Sequence, residues 1–413
     1  MNFKLFIPLL VIIFISLIGY TLQPQNQPAD IFFEEEEVFV DYTQEIRPFL
    51  NSFSEYINTI LTEKKIVGAA YAIVYKGQVI TVQPYGLRKA GTEDSVDVHT
   101  LFRLASVSKG FGGVLASKLH HQKVLSLDEN IISYLPDFKL KRWYNQQTLT
   151  LRNVLSQSSG VVAHSFDPWI ESGHSYKSIF ENFRIANITN RPGESYSYQN
   201  ALFCLFDSIA HLQTGYSVQQ LMRDSVFAPL GMYDASMTFE EFTIGDNYAY
   251  PHARSRWGNY YATRLNDRYY SVPTAAGVNA SITDMSKWLQ ALMGYAPDVV
   301  SDTILSEVCQ SYVKTPVPYI TRKNWGNIAR REYGLGWRII TTKQGMRVIQ
   351  HGGYVDGYRN EIAFCPEQQI GIVFLSNAPH ISTSEIVPAF MNSYKEYSDT
   401  IPHYLVKTEL ALQ

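Results

Sequence analysis

Segments typical of β-strands lie near both ends of the chain, and a middle section of about residues 125–300 is mostly helices and long loops. Near the start, two β-rich runs flank a turn at Lys76-Gly77, which predicts a hairpin. Strand patterns return in the last third as "YGLGWRIITT", "MRVIQHGGY", "RNEIAFCPE" and "QIGIVFLSN". The predicted fold class is therefore α+β: an antiparallel sheet formed from both chain ends and flanked by helices, with an all-helical insertion lobe. We expect a substrate to bind in a cleft between the sheet and this lobe.

Helices are predicted at both sides of these strand regions. Apolar residues recur every three or four positions over residues 43–64, which predicts an amphipathic helix. A final helix is predicted for about residues 383–397. In "SITDMSKWLQALM", Ser281 and Asp284 have the spacing of a capping box, so a helix should begin there.

The N-terminal segment is predicted to direct the chain out of the cytoplasm. Residues 1–22 combine Lys4 with a long apolar run, which is typical of a signal peptide or an uncleaved membrane anchor. Residues 23–42 form a polar linker that ends in an acidic run, so the charges on the two flanks place the bulk of the chain outside. The expected location is the periplasm or the outer face of the cytoplasmic membrane. Residues 43–397 would form one domain and residues 398–413 a C-terminal tail.

Charge, cysteine spacing and histidine spacing exclude several classes of function. The formal net charge is -3, so nothing points to a nucleic acid as partner. Three cysteines have no CxxC spacing, and ten histidines form no HExxH motif. No Gly-rich phosphate loop is present either. We therefore predict no metal and no cofactor, and we expect the cysteines to be small buried side chains.

Three short motifs carry the candidate chemistry. Ser106-x-x-Lys109 begins a predicted helix, Tyr198-x-Asn200 lies in "RPGESYSYQN", and His351-Gly-Gly lies at the end of a strand in "VIQHGGYVDGY". Each motif alone is a weak signal. Their order along the chain and their structural context give them weight.

The first motif has a second copy that context removes. Ser311 and Lys314 have the same spacing, but prolines follow closely and would prevent a continuing helix. Only Ser106 opens a long helix without proline. That helix contains glycines, which lower helix propensity by roughly 1 kcal/mol each and indicate that another backbone passes close by. These glycines are Gly110, Gly112 and Gly113.

The three motifs, in this order, resemble those of the serine β-lactamase and penicillin-binding protein superfamily, in the branch of class C β-lactamases, D,D-carboxypeptidases and related esterases. Other matching segments are "LTLRNVLSQSSGV", "VFAPLGM", "TAAGVNASITDMSKWLQAL" and "HGGYVDGYRNEIAFCPEQQIGIVFLSN". The resemblance covers residues 43–397. It implies a β-lactamase/transpeptidase-like fold and a serine hydrolase that acts through a covalent acyl-enzyme on an amide, β-lactam or ester carbonyl. The substrate would be a small molecule or a peptide.

This resemblance assigns the catalytic roles. Ser106 is the expected nucleophile, and Lys109, one helical turn further on, can reach its hydroxyl. Burial lowers the pKa of a lysine and favours the neutral amine that can accept a proton. The family places Tyr198 beside both residues, and whether Lys109 or Tyr198 is the base stays open.

The resemblance also assigns four substrate-binding positions. Asn200 would hold a substrate amide, and Gly353 would let the substrate lie close against its strand. The backbone N–H groups of Ser106 and Tyr354 would bind the oxyanion. His351 stands where class C enzymes have lysine, and it would donate to a substrate carboxylate or to Tyr198. Since the chain contains no Lys-Thr-Gly or Lys-Ser-Gly, efficient β-lactam hydrolysis is not expected.

Two alternatives to an enzyme remain open at this stage. A penicillin-binding protein that is acylated and not released would be a sensor, and a protein that keeps only the fold would be a scaffold. Gln157 replaces a histidine found in many family members, and we expect that position to be structural.

One arginine-rich stretch has no counterpart in the family pattern. Residues 247–270, "NYAYPHARSRWGNYYATRLNDRYY", contain arginines and many aromatic residues but no lysine. One hypothesis is that this stretch lines the cleft and binds an anionic substrate through Arg254 and Arg256. The alternative is a surface loop packed by its own tyrosines. A second stretch, residues 166–176, is expected at the cleft edge without a role for any single residue.

Overall fold

The computed structural model describes residues 41–400. The strands are β1 Gly68–Tyr75, β2 Gln78–Gly86, β3 Phe102–Arg103, β4 His252–Arg254, β5 Tyr260–Ala262, β6 Asn279–Ala280, β7 Val313–Lys314, β8 Ile328–Tyr333, β9 Arg338–Thr342, β10 Arg347–Val355, β11 Tyr358–Cys365 and β12 Ile370–Ser376. Eight of them form the main sheet in the order β2-β1-β12-β11-β10-β9-β8-β7, and each neighbouring pair is antiparallel.

Helices and single turns fill most of the chain between these strands. The helices are α1 Thr43–Glu63, α2 Ser108–His121, α3 Ile131–Tyr134, α4 Trp143–Thr148, α5 Leu151–Leu155, α6 Asp167–Glu171, α7 Tyr176–Asn182, α8 Leu205–Thr214, α9 Val218–Met222, α10 Phe239–Thr243, α11 Pro273–Ala276, α12 Ile282–Leu292, α13 Asp302–Val308, α14 Tyr319–Trp325 and α15 Thr383–Thr400. Helix α12 begins at Ser281, whose hydroxyl accepts a hydrogen bond from the N–H of Asp284 at 3.1 Å, as the capping spacing predicts.

The first and last strands of the described chain that belong to the main sheet are joined inside it, next to the β2 edge. Strand β1 pairs with β2 on one side and with β12 on the other, in a register that runs from Ala69↔Ser376 to Tyr75↔Ile370. The hairpin turn lies at Lys76 and Gly77, which both have positive φ, the conformation expected of a tight hairpin turn. The predicted α+β fold with a sheet from both chain ends is confirmed. The strand patterns did not predict β7 and β8 at the far edge.

The two faces of the sheet pack against different layers. Alternate side chains of β1, such as Tyr71 and Ile73, point toward α1 and α15, while Ala70 and Ala72 point toward the helical lobe. On the first face, Phe390 of α15 packs against two aromatic rings of α1. On the second face, the Trp288 and Phe111 rings of α12 and α2 stack at 4.1 Å. Each face of the sheet therefore has its own apolar core.

The glycines of α2 lie where other groups approach the helix closely. A Cβ added to Gly113 would lie 2.0 Å from the main-chain oxygen of Leu335, and one added to Gly110 would lie 2.3 Å from the Trp337 ring. The expectation of close backbone approach is confirmed at Gly113. Because Gly113 has no side chain, the connection between β8 and β9 can lie directly against α2.

Some of the predicted segments lie outside the described residues. These are residues 1–22, nearly all of the linker 23–42, and most of the tail 398–413. Between residues 41 and 400, none of the helices combines the length and the apolar character needed to cross a bilayer. The three cysteines, Cys204, Cys309 and Cys365, are buried and free, as expected.

Candidate active site

Ser106 and Lys109 lie together at the start of α2. Ser106 is in a 3-10 turn, Ala105–Val107, and the α-helix begins at Ser108, two residues later than predicted. The turn opens with Ala105 at φ +51, an uncommon value for a residue with a side chain. The Nζ atom of Lys109 lies 3.3 Å from the Oγ atom of Ser106. The amine is thus in reach of the hydroxyl proton.

Lys109 is fully buried and is held by two further contacts. Its Nζ atom lies 2.6 Å from the Oδ1 atom of Asn200 and donates to the main-chain oxygen of Ala275 at 2.8 Å. Burial lowers the pKa of Lys109 to about 7, although the charge of Asp167 acts in the opposite direction. Near neutral pH, a substantial share of this amine is therefore uncharged and able to accept a proton.

Tyr198 lies in the same cleft as Ser106. Its ring centroid is 4.7 Å from the Nζ atom of Lys109. Burial raises the pKa of Tyr198, and the charge of Arg338 and a hydrogen bond with Ser106 oppose this shift. The hydroxyl of Ser106 and the side chain of Tyr198 therefore line one cleft, and the buried amine of Lys109 lies against both.

Gln157 holds the segment that carries Tyr198. Its amide donates to the main-chain oxygen of Gln199 at 3.1 Å and accepts from the N–H of Gln199 at 2.6 Å. Gln157 is fully buried. The prediction that this position is structural is confirmed.

A chain of hydrogen bonds extends from Lys109 to the rim of the cleft. The Nδ2 atom of Asn200 donates to the Oδ1 atom of Asp167 at 3.0 Å, while the Oδ1 atom of Asn200 faces Lys109. The other oxygen of Asp167 lies 2.5 Å from the Nδ1 atom of His164, which is exposed at the rim. Both ends of the Asn200 amide are thus engaged within the protein. The sequence analysis expected residues 166–176 at the cleft edge; this stretch includes Asp167 but not His164, and neither residue was singled out.

His351 lies behind the cleft and does not line it. It is fully buried, and its Nδ1 atom is 2.8 Å from the main-chain oxygen of Gly352. Since a carbonyl only accepts, Nδ1 carries the proton, and Nε2 accepts from the Tyr333 hydroxyl at 3.0 Å. Burial, with the nearby charges of Arg338 and Lys109, holds the pKa of His351 well below its usual value. His351 is therefore not placed to donate to a substrate carboxylate in the cleft, contrary to the prediction.

The positively charged group beside Tyr198 in the cleft is Arg338 and not His351. Its guanidinium is 5.5 Å from the Tyr198 ring centroid and 3.3 Å from both nitrogens of His351. Arg338 lines the Ser106 cleft together with Arg331. Sequence reasoning did not find either arginine, and the only local signal was a charged residue at the start of an apolar strand in "WRIITT".

The two glycines of β10 have different surroundings: Gly353 packs against the turn before Ser106, and Gly352 lines the cleft. A Cβ added to Gly353 would lie 2.1 Å from the main-chain oxygen of Leu104, so this glycine makes room for the nucleophile turn instead of the substrate. Gly352 lines the cleft, as does Tyr354, whose side chain is 62% exposed. Pairing of β10 with β9 ends at Gln350. The following residues of β10 therefore lie beside the cleft.

The arginine-rich stretch contributes less to the cleft than one hypothesis holds. Tyr269 lines the cleft, but Arg254 and Arg256 do not. Residues 247–270 contain the β4–β5 hairpin, in which the Arg254 Nε atom donates to the main-chain oxygen of Gly258 at 3.3 Å. Arg256 stacks at the tip on Trp257, which is 76% exposed. The hypothesis that Arg254 and Arg256 bind an anionic substrate in the cleft is therefore wrong.

The cleft has a volume of about 620 Å³ and is lined by Ser106, Tyr198, Asn200 and Tyr354 among others. Such a volume suits a small molecule or the end of a peptide. Among residues 41–400, no group of three or more His, Cys, Asp and Glu side chains is placed to hold a metal ion. The groups at this cleft are a serine hydroxyl, a buried amine and a phenol.

A family model described as Beta-lactamase matches residues 53–389, which is most of the chain. The chain belongs to the beta-lactamase family. Its fold is also that of an octameric penicillin-binding protein homologue from Pyrococcus abyssi, with a TM-score of 0.72, 22% identity, and coverage of 82% of this chain and 76% of that one.

Some relatives of this beta-lactamase family member are named as hydrolases or beta-lactamases. An unguisins hydrolase of Aspergillus campestris is 26% identical over 81% of this chain, and a beta-lactamase of Escherichia coli is 23% identical over 81% of this chain and 90% of its own length. The chain spans 63% and 62% of the length of the unguisins hydrolases of A. campestris and A. violaceofuscus. Family and relatives together support a serine hydrolase type of function.

Proposed function

We propose that this protein is a serine hydrolase that forms a covalent acyl-enzyme at Ser106. The acyl donor would be an amide, a β-lactam or an ester, in cell-wall peptide, β-lactam or ester metabolism. The observation that carries this proposal is that Ser106 and Tyr198, from separate parts of the chain, line one cleft, while the buried amine of Lys109 lies against both. This arrangement is the nucleophile–base geometry that activates a hydroxyl.

The proposed reaction proceeds in two stages. Neutral Lys109 accepts the hydroxyl proton while the Oγ atom of Ser106 bonds to the carbonyl carbon, whose π electrons move to the oxygen. The resulting oxyanion accepts hydrogen bonds from the N–H groups of Ser106 and Tyr354. Collapse expels the leaving group, which takes up the proton through Lys109 or Tyr198. Water then attacks the acyl-enzyme by the reverse route, releasing the acid and restoring Ser106.

Intact-protein mass spectrometry tests this proposal. The protein is incubated with a p-nitrophenyl ester, a penicillin and a D-alanyl-D-alanine peptide, and the mass gained equals the acyl group. The adduct should be absent in Ser106→Ala. It should persist in Ser311→Ala, the control that removes the serine of the second Ser-x-x-Lys copy.

Two outcomes would contradict the proposal in different ways. Equal acylation or ester turnover in Ser106→Ala and the unmodified protein would exclude Ser106 as nucleophile. A stoichiometric adduct that never turns over would leave a penicillin-binding sensor in place of a hydrolase.

We also propose that the chain acts outside the cytoplasm. The support is the apolar run of residues 1–22 behind Lys4. A fusion of residues 1–42 to alkaline phosphatase, expressed in E. coli, should be active, since this reporter folds only outside the cytoplasm. The same fusion without residues 1–22 is the control, and equal activity of the two would contradict export.

A further inference from the structure

The amine of Lys109 has three polar neighbours, and two of them can only accept hydrogen bonds. Its Nζ atom donates to the main-chain oxygen of Ala275 at 2.8 Å and lies 2.6 Å from the Oδ1 atom of Asn200. A neutral amine has two hydrogens and one lone pair, and these two carbonyl oxygens take up both hydrogens. The lone pair is then left for the hydroxyl of Ser106, 3.3 Å away. The position of the Ala275 carbonyl therefore sets the direction of this lone pair.

Ala275 belongs to α11, a single turn of helix without an N-terminal cap of its own. The residue before the turn, Val272, has an apolar side chain, so it cannot accept from the first N–H groups. The turn packs tightly on α2, because a Cβ added to Gly112 would lie 3.1 Å from the Cβ atom of Thr274. A short turn of this kind depends on other elements to keep its carbonyl groups in place.

Asp207 of α8 supplies the missing cap. The Oδ1 atom of its carboxylate accepts from the Thr274 hydroxyl at 2.5 Å, and the Oδ2 atom accepts from the Thr274 N–H at 3.5 Å. Thr274 is fully buried, and the Sγ atom of Cys204 lies 3.5 Å from its hydroxyl oxygen. Burial raises the pKa of Asp207 to about 7, and the hydrogen bonds from Thr274 oppose this shift. Both polar donors of Thr274 thus end on one carboxylate from a different part of the chain.

We infer that Asp207 is a positioning residue for proton transfer at Ser106. It does not line the cleft and belongs to none of the three motifs. Its carboxylate holds Thr274, which precedes Ala275 in the same turn, and so keeps the Ala275 carbonyl against the amine. This inference rests on the proposed function, in which the amine takes up the serine proton. Without the carboxylate the turn can rotate, and the lone pair loses its direction toward the hydroxyl.

Thr274→Val tests this inference, because it removes the hydroxyl and keeps the size of the side chain. The acylation rate at saturating p-nitrophenyl ester should fall about tenfold or more, with little change in KM, because misaligned groups react slowly. Asp207→Leu should have the same effect, whereas Asp207→Asn should keep most of the rate, since an amide oxygen still accepts from the hydroxyl. The double variant Asp207→Leu/Thr274→Val should be no slower than the slower single variant, because both changes break one contact.

The pH dependence of acylation separates positioning from a mere loss of stability. The Ala275 oxygen stabilises the ammonium form of Lys109, so moving it away should lower the pKa of Lys109 further. The rising part of the acylation profile should therefore move to lower pH in Thr274→Val. A protein that is only less stable would keep the original midpoint. The other groups whose charges act on this amine are unchanged in the variant, namely Cys204, Asp167 and Arg338.

Asp284→Asn is the matched control. Burial raises the pKa of this carboxyl to about 7 as well, but within the described residues no hydrogen bond joins it to α11 or to Lys109. The acylation rate and its midpoint should therefore equal those of the unmodified protein. An unchanged rate and midpoint in Thr274→Val would overturn the positioning role. A shifted midpoint in Asp207→Asn but not in Thr274→Val would also overturn it, because the charge would then act directly.

NMR of protein with isotope-labelled lysine Cε atoms measures the same property without turnover. The signal of Lys109, identified by its absence in Lys109→Met, should titrate at lower pH in Thr274→Val than in the unmodified protein. An unchanged titration would overturn the inference even if the rate falls, and acylation of Ser106 would still stand. A shifted titration without any acylation would support the positioning of the amine and contradict the proposed function.

Discussion

Burial of Lys109 controls the protonation of the amine beside Ser106. Its pKa is lowered to about 7, so the ammonium form predominates below that pH and cannot accept the hydroxyl proton. We expect the pre-steady-state acylation rate to rise with pH around a midpoint near 7 and then to level off. Stopped-flow measurement with a p-nitrophenyl ester from about pH 5 to about pH 9 checks this, and a flat profile would exclude Lys109 as the base.

Asp167 is expected to tune this titration, because its charge stabilises the ammonium form of Lys109. In Asp167→Asn, the pKa of Lys109 should fall further, so the rising part of the acylation profile should move to lower pH. Glu171→Gln is a matched control, since it removes a negative charge from the same helix and should leave the profile in place. A profile that stays unchanged in Asp167→Asn would show that the Asn200–Asp167 contact has no electrostatic effect on the site.

At the scale of elements, the close contact of β10 with the nucleophile turn determines where the oxyanion strand lies. A Cβ at position 353 would overlap the main-chain oxygen of Leu104, two residues before Ser106. We expect Gly353→Ala to slow acylation strongly and to lower the free energy of unfolding by about 1–3 kcal/mol, as overpacking does. Gly245→Ala, at a position where a Cβ meets open space, is the control. Full activity of Gly353→Ala would mean that the turn can move without loss.

Local patterns predicted those elements and site residues whose signal lies within one segment. Period and length predicted α1, α15 and the β1–β2 hairpin. Short motifs picked out Ser106, Lys109 and Tyr198, which the fold places close together; their catalytic roles stay a prediction. The sequence could not predict the place of Arg338, because it depends on the register Arg338↔Gln350 between β9 and β10. Arg254 attracted attention by composition, but a hairpin directs it away from the cleft.

At the scale of the whole molecule, the layer of α1 and α15 stabilises the sheet from the face opposite Ser106. Phe390 is fully buried, and its ring centroid is 5.2 Å from that of Phe49 and 4.9 Å from that of Phe53. We expect Phe390→Ala to lower the free energy of unfolding by about 3–5 kcal/mol, measured by urea denaturation. Well below the new melting midpoint, the acylation rate should be unchanged.

A surface aromatic provides the control for this prediction. Tyr233 is 84% exposed, so Tyr233→Ala should change the free energy of unfolding by no more than about 0.5 kcal/mol. If Phe390→Ala instead lost acylation while still folded, the two faces of the sheet would be coupled more tightly than their separate cores indicate.

The joining of both chain ends in one sheet also has a consequence for biosynthesis. Ser106 and Lys109 are translated more than 200 residues before β12, the strand that pairs with β1. Until then the nascent polypeptide lacks the strand that joins β1 to β11 in the sheet. We therefore expect premature stop codons anywhere upstream of β12 to yield inert fragments, and a newborn chain to acquire its reactive serine only after β12 has been translated.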